Sequence, residues 1–159
     1  MSKGSKKPIR LGSMMVLIVY IAVLFYVCFA SEQLGRGQVS QTLRFNLVPF
    51  REITRFWVYR SIIGIPALML NFFGNVLAFV PFGFFTAVCS RRRSAAKIGL
   101  MTLLLSLLIE TVQLTTGVGA FDVDDLILNT AGGLCGYWFF LLAGRYAGLP
   151  SGGRRKHID

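Results

Sequence analysis

The chain has 159 residues, 54% of them hydrophobic and 15% charged, with a formal net charge of +10 and a mean hydropathy of +0.62. That is too apolar and too poor in charge for a soluble domain, so one all-α integral membrane domain is expected over residues 1–147, followed by a polar C-terminal tail, 148–159. Nucleic acid is not the expected partner of the positive charge, because the lysines and arginines fall in the gaps between apolar runs, where they set topology.

Lys3, Lys6, Lys7 and Arg10 precede an apolar run over 14–30, which is long for the core of a secretory signal and reads as a first transmembrane helix. Cys28-Phe29-Ala30 resembles a small-x-small cleavage site, but Phe25-Tyr26-Val27 is too bulky for a lipoprotein signal. Asn46-Leu47-Val48-Pro49-Phe50 reads as an extended turn imposed by the proline. From Phe50 to Arg60 aromatics alternate with arginines, placing Ile53, Phe56 and Trp57 on one helical face and Arg51 with Arg55 on another. This predicts a short interfacial helix between the first and second spans, or a plain aromatic belt, and makes Arg51 and Arg55 the best anion-binding candidates.

The second span is predicted over 67–90 and carries Asn71 and Asn75, four residues apart on one face, followed by Pro81 and Gly83. Intramembrane asparagines either join helices or face a cavity, while Pro81 removes a backbone donor and is expected to bend the helix. Arg91, Arg92, Arg93 and Lys97 make a basic turn. The third span, 98–114, ends near Glu110 and Gln113, again on one face. A glutamate inside a span costs up to a few kcal/mol unless paired or hydrated.

Asp122, Asp124 and Asp125 stand immediately before the fourth span, 126–142. Asp122 or Asp124 can cap exposed N–H groups at a helix start. Asp122, Asp125, Asn129, Gly132 and Gly136 also recur at steps of three or four and form a stripe. Gly132 and Gly136 make a small-residue packing pattern, where a homo-oligomer contact is also expected. Cys28, Cys89 and Cys135 have no metal-ligand spacing, and His157 is isolated in the tail.

The basic turn and N-terminal tail predict a multi-pass protein of the bacterial cytoplasmic membrane with both termini cytoplasmic, although Arg36, Arg44, Arg51, Arg55 and Arg60 fall on the outer side. Asn71 and Asn75 then lie roughly 6 and 12 Å below the outer surface, Glu110 roughly 6 Å and Asn129 roughly 5 Å. This common depth predicts one outward-facing polar pocket of Asn71, Asn75, Glu110, Gln113 and Asn129, lidded by Asp122, Asp124 and Asp125. Its expected partners are membrane lipids.

These elements resemble the VanZ-like membrane proteins. The matching residues are Asn46 to Phe50; Asn71, Gly74 and Asn75 with Phe79, Pro81 and Gly83; Ser106, Glu110 and Gln113; and Phe121, Asp122, Asp124, Asp125, Asn129, Gly132 and Gly136. Many members of that family carry an arginine just before the acidic motif, where this chain has Val118-Gly119-Ala120, so either this chain has lost that arginine or Arg51 or Arg55 substitutes for it. The resemblance implies a role at the bacterial cell envelope and tolerance to glycopeptides such as teicoplanin, with a lipid headgroup, a lipid-linked wall precursor or the glycopeptide itself as partner.

Three functions follow. In the first, the pocket binds a headgroup without catalysis. In the second, Glu110, Asp122, Asp124 or Asp125 acts as a catalytic group in an enzyme modifying an outer-leaflet lipid or wall precursor, with Glu110, Asp122 and Asp125 holding Mg²⁺ or Ca²⁺. No nucleophile in a recognisable setting and no organic cofactor signal accompany them. In the third, the polar residues only join helices. A transporter is disfavoured, because no inverted repeat or broken-helix pair is evident.

Overall fold

A computed structural model of the chain describes residues 6–35, 45–58, 65–90, 93–117 and 119–146. The predicted tail, His157, Arg36, Arg44, Arg60, Arg91 and Arg92 lie outside the described residues, as do the side chains of Arg55 and Asn71. The element order is α1 (Lys6–Gly35), β1 (Phe45–Asn46), α2 (Arg51–Val58), α3 (Ile65–Cys89), α4 (Ala95–Thr115), β2 (Phe121–Asp122) and α5 (Val123–Tyr146). Four helices, α1, α3, α4 and α5, are long and apolar enough to cross a membrane. The protein is an all-α membrane protein with the short helix α2 between its first two spans.

Each of the four long helices begins before the apolar window that predicts it, and all but α3 run past its end, because backbone hydrogen bonding does not stop where hydropathy does. Ser94 caps α4, accepting from the Lys97 N–H at 3.2 Å. At the other end of α4, Gly117 has φ 68°, the left-handed turn that ends helices and that glycine adopts without steric cost. Pro81 lies inside α3, which continues through it. Near this missing donor, the Tyr20 hydroxyl of α1 donates to the Ala78 carbonyl of α3.

The centre of the bundle is the pairing of α3 with α5, built on glycines. A Cβ on Gly132 would lie 2.1 Å from the Val76 carbonyl oxygen and one on Gly136 2.0 Å from that of Val80. From the other side, a Cβ on Gly83 would lie 1.9 Å from the Gly133 carbonyl oxygen. In lipid, helices gain nothing by burying leucine against leucine, so this backbone approach and its dispersion contacts hold them together. Gly133 does the same for α4, since a Cβ there would meet Thr102 Oγ1 at 2.2 Å. The Gly132 and Gly136 face, expected to contact a second copy, is thus filled within the chain.

Two apolar clusters flank this centre: Leu24, Phe79 and Ile109 towards α1, and Ala87, Ile98 and Phe140 towards the opposite end. Helix α1 is the peripheral span, with 6% of its apolar window buried. Its end contacts are polar. Arg10 donates to the Cys89 carbonyl at the C-terminus of α3, at 2.7 Å from Nε, and Gln113 Nε2 of α4 donates to the Cys28 carbonyl at 3.4 Å. Arg93 donates to the Ala87 carbonyl at 3.0 Å and lies 4.8 Å over the Phe140 ring. One end of the bundle is therefore basic, with Arg10 and Arg93 on helix-end carbonyls, and the acidic residues collect at the other.

Candidate functional site at the acidic end

The acidic end is organised by a short parallel bridge. β1 pairs with β2 in the register Phe45 with Phe121 and Asn46 with Asp122, so the segment before α2 is clamped to the start of α5. Asn46 Nδ2 donates to Asp122 Oδ1 at 3.0 Å, and the Val48 N–H closes back on Asn46 Oδ1 at 3.4 Å. Phe50 has φ 64°, a left-handed conformation rare for a bulky residue. The turn delivers its N–H to Asp124 Oδ1 before α2 begins. The expectation of an extended turn here thus becomes a strand residue, a turn and a left-handed phenylalanine.

The three aspartates have separate tasks. Asp122 is the helix cap, its Oδ1 accepting from the Asp124 N–H at 2.8 Å. Asp124 is only 2% exposed and receives Phe50. Asp125, one step round the helix, accepts from Asn75 Nδ2 of α3. Glu110, 3% exposed near the end of α4, accepts from the Asp122 N–H at 3.0 Å through Oε2. A charge-bearing carboxylate inside a helical bundle is tolerable when N–H donors reach it, and each of these four is reached by at least one.

The expected stripe on α5 divides between two neighbours. Asp125, Gly132 and Gly136 face α3, whereas Asn129 turns to α4, where its Nδ2 donates to Ser106 Oγ at 2.8 Å. Asn129 is 4% exposed, and its Oδ1 has no hydrogen-bond partner among the described residues. Gln113, expected at the pocket floor, reaches across to α1, and Gly119 packs on its side chain. Arg51 is exposed at the first turn of α2.

Among the described residues no group of three or more His, Cys, Asp and Glu side chains is placed to hold a metal ion. The expected ligand set Glu110, Asp122 and Asp125 is therefore not gathered into one, because their oxygens are turned to amides on different elements. Asn46 and Ser106 join the cluster although only the family resemblance pointed to them. A signal for Ser106 lay in the spacing of Thr102, Ser106 and Glu110, which line one face of α4 and are all buried.

Four apolar helices carrying a buried carboxylate and amide network at one end define a multi-pass helical membrane protein. The VanZ/LLP1 family model matches residues 17–144, and the chain belongs to that family. Protein VanZ of Enterococcus faecium is 33% identical over 72 residues, 45% of this chain and 45% of that protein, so the alignment covers less than half of that relative. No solved structure matches.

Proposed function

We propose that this protein sits in the bacterial cytoplasmic membrane with both termini cytoplasmic and the acidic end outward, where it binds a lipid headgroup or lipid-linked wall component without catalysis and lowers susceptibility to teicoplanin-type glycopeptides. Membership of the VanZ/LLP1 family supports the envelope role. Arg10 and Arg93 on the end opposite the aspartates support the orientation. The observation that carries the binding reading is the convergence of Asn46, Asn75, Glu110, Asp122 and Asp125 from five elements, joined across as many as 76 residues of sequence. Chain topology alone needs no such expense of buried polar groups.

The test is a teicoplanin susceptibility assay on cells expressing Glu110→Gln or Asp125→Asn, with membrane accumulation measured in parallel. Loss of protection by normally accumulating variants is the expected result. Unchanged protection with both defeats the reading. The internal pairing of Glu110, Asp122, Asp124 and Asp125 favours a second reading, in which the network only holds the helices together; there, protection falls only as far as accumulation does.

A further inference from the structure

Along an exposed side of α5 runs a shallow groove of about 440 Å³, lined by Val123, Ile127, Thr130, Ala131 and Leu134 and flanked by Leu103 of α4. Its surface is wholly apolar, because Thr130, its one polar residue, keeps Oγ1 buried. At the deep end Leu134 lies down on α4 where Gly99 leaves room, a Cβ there being 3.3 Å from Leu134 Cδ2. At the shallow end the groove starts at Val123, next to the capping Asp122.

Its length and its lining decide what fits. From Val123 to Leu134 the groove extends about 16 Å at the helical rise. A hydrocarbon chain, whose carbons contact their neighbours at about 3.5 to 4.0 Å, can lie along this apolar lining. The lining residues belong to apolar spans, so the occupant comes from the bilayer.

We propose that this groove seats one acyl chain of a membrane lipid whose headgroup lies at the Asp122 to Asp125 end, an inference that rests on the headgroup reading above and adds the tail to it. The full chain is reconstituted in phosphatidylglycerol and phosphatidylethanolamine vesicles containing a trace of phospholipid with a diazirine midway along one acyl chain, irradiated, and mapped by peptide mass spectrometry. Label is expected several-fold enriched at Leu103, Ile127 and Leu134 over Leu104, Leu108 and Val23, which are at least as exposed. Ala131→Trp is expected to remove that enrichment and leave α1 labelling unchanged. Ala131 is exposed, so filling the groove there spares the core, and Ile127→Trp is a second filler on the same wall. Even labelling of all exposed leucines overturns the proposal, as does enrichment that survives both fillers. Depletion of label in the groove, the result if a second copy covered this face, overturns it too. The tracer is supplied with an anionic and with a zwitterionic headgroup to separate the two readings. Groove enrichment indifferent to headgroup and to Asp125→Asn keeps the acyl site and removes headgroup selection, whereas even labelling with loss of teicoplanin protection in Asp125→Asn removes the groove alone.

Discussion

Asn46 and Asp122 face each other in a parallel register and share a 3.0 Å hydrogen bond across 76 residues of sequence. The same Asp122 oxygen caps α5 through the Asp124 N–H. The contact therefore ties the segment before α2 to a helix start that must be capped in any case. Asn46→Ala removes a neutral donor from a carboxylate, which costs about 1.5 to 3 kcal/mol, while Asp122→Ala also removes the cap, typically about 1 kcal/mol more. The double variant is expected to be less destabilised than the sum, with a coupling of about 1 kcal/mol or more, read from thermal unfolding in detergent. Strict additivity would mean that the two residues do not act on each other.

Glycines in this chain are not equivalent. At Gly132 and Gly136 a methyl group would enter the backbone of α3, whereas at Gly74 nothing lies within 4 Å. Gly132→Ala and Gly136→Ala must push α3 and α5 apart, and overpacking of this kind costs about 1 to 3 kcal/mol. Gly74→Ala adds a methyl in open space and removes backbone freedom, a gain approaching 1 kcal/mol in a helix interior. Unfolding temperatures should move in opposite directions for the two classes. A fall for Gly74→Ala as large as for Gly136→Ala would refute the close approach as the cause.

The spans were legible because hydropathy and charge gaps mark them directly, and Asp122 as a cap was legible from its place before the apolar run. The neighbours met by the stripe on α5 were not. Successive residues advance by about 100°, so Asn129 and Gly132 are separated by about 60° around the axis. That is enough to send one to Ser106 of α4 and the other to Val76 of α3. The β1 and β2 bridge was illegible for a different reason. Two residues per strand carry no alternation, and a pairing between segments 76 residues apart leaves no local trace. The role of Gln113 was hidden by periodicity itself, since sharing a helical face with Glu110 does not fix which helix that face meets.

Ser106 and Asn129 offer a test of a buried polar contact. Asn129 Nδ2 reaches Ser106 Oγ at 2.8 Å, and Asn129 Oδ1 has no partner among the described residues. Ser106→Ala strands the amide nitrogen as well, a penalty of about 1 to 3 kcal/mol. Replacing both partners by apolar groups, Ser106→Ala with Asn129→Leu, removes the orphan groups together and is expected to recover most of that loss in thermal unfolding. A double variant less stable than Ser106→Ala would show that the Asn129 carbonyl is satisfied and useful in the native protein.

Asn75 and Asp125 allow packing to be separated from charge. Asn75 donates to Asp125 across the α3 and α5 contact. Asn75→Asp alone sets two carboxylates against each other, a juxtaposition that costs several kcal/mol, so low membrane accumulation is expected. Asp125→Asn alone leaves two amides able to pair and loses only the charge assistance, about 1 kcal/mol. The exchange of both, Asn75→Asp with Asp125→Asn, rebuilds one amide and one carboxylate with donor and acceptor reversed, and accumulation should return towards the level of the unmodified chain. The negative charge has then moved from α5 to α3 while the joint is intact. If the acidic end recognises a headgroup, teicoplanin protection stays low in the exchanged protein despite restored accumulation, because recognition depends on where the charge stands. If the pair is only a joint, protection returns with accumulation, and the measurement that decides is the ratio of the two.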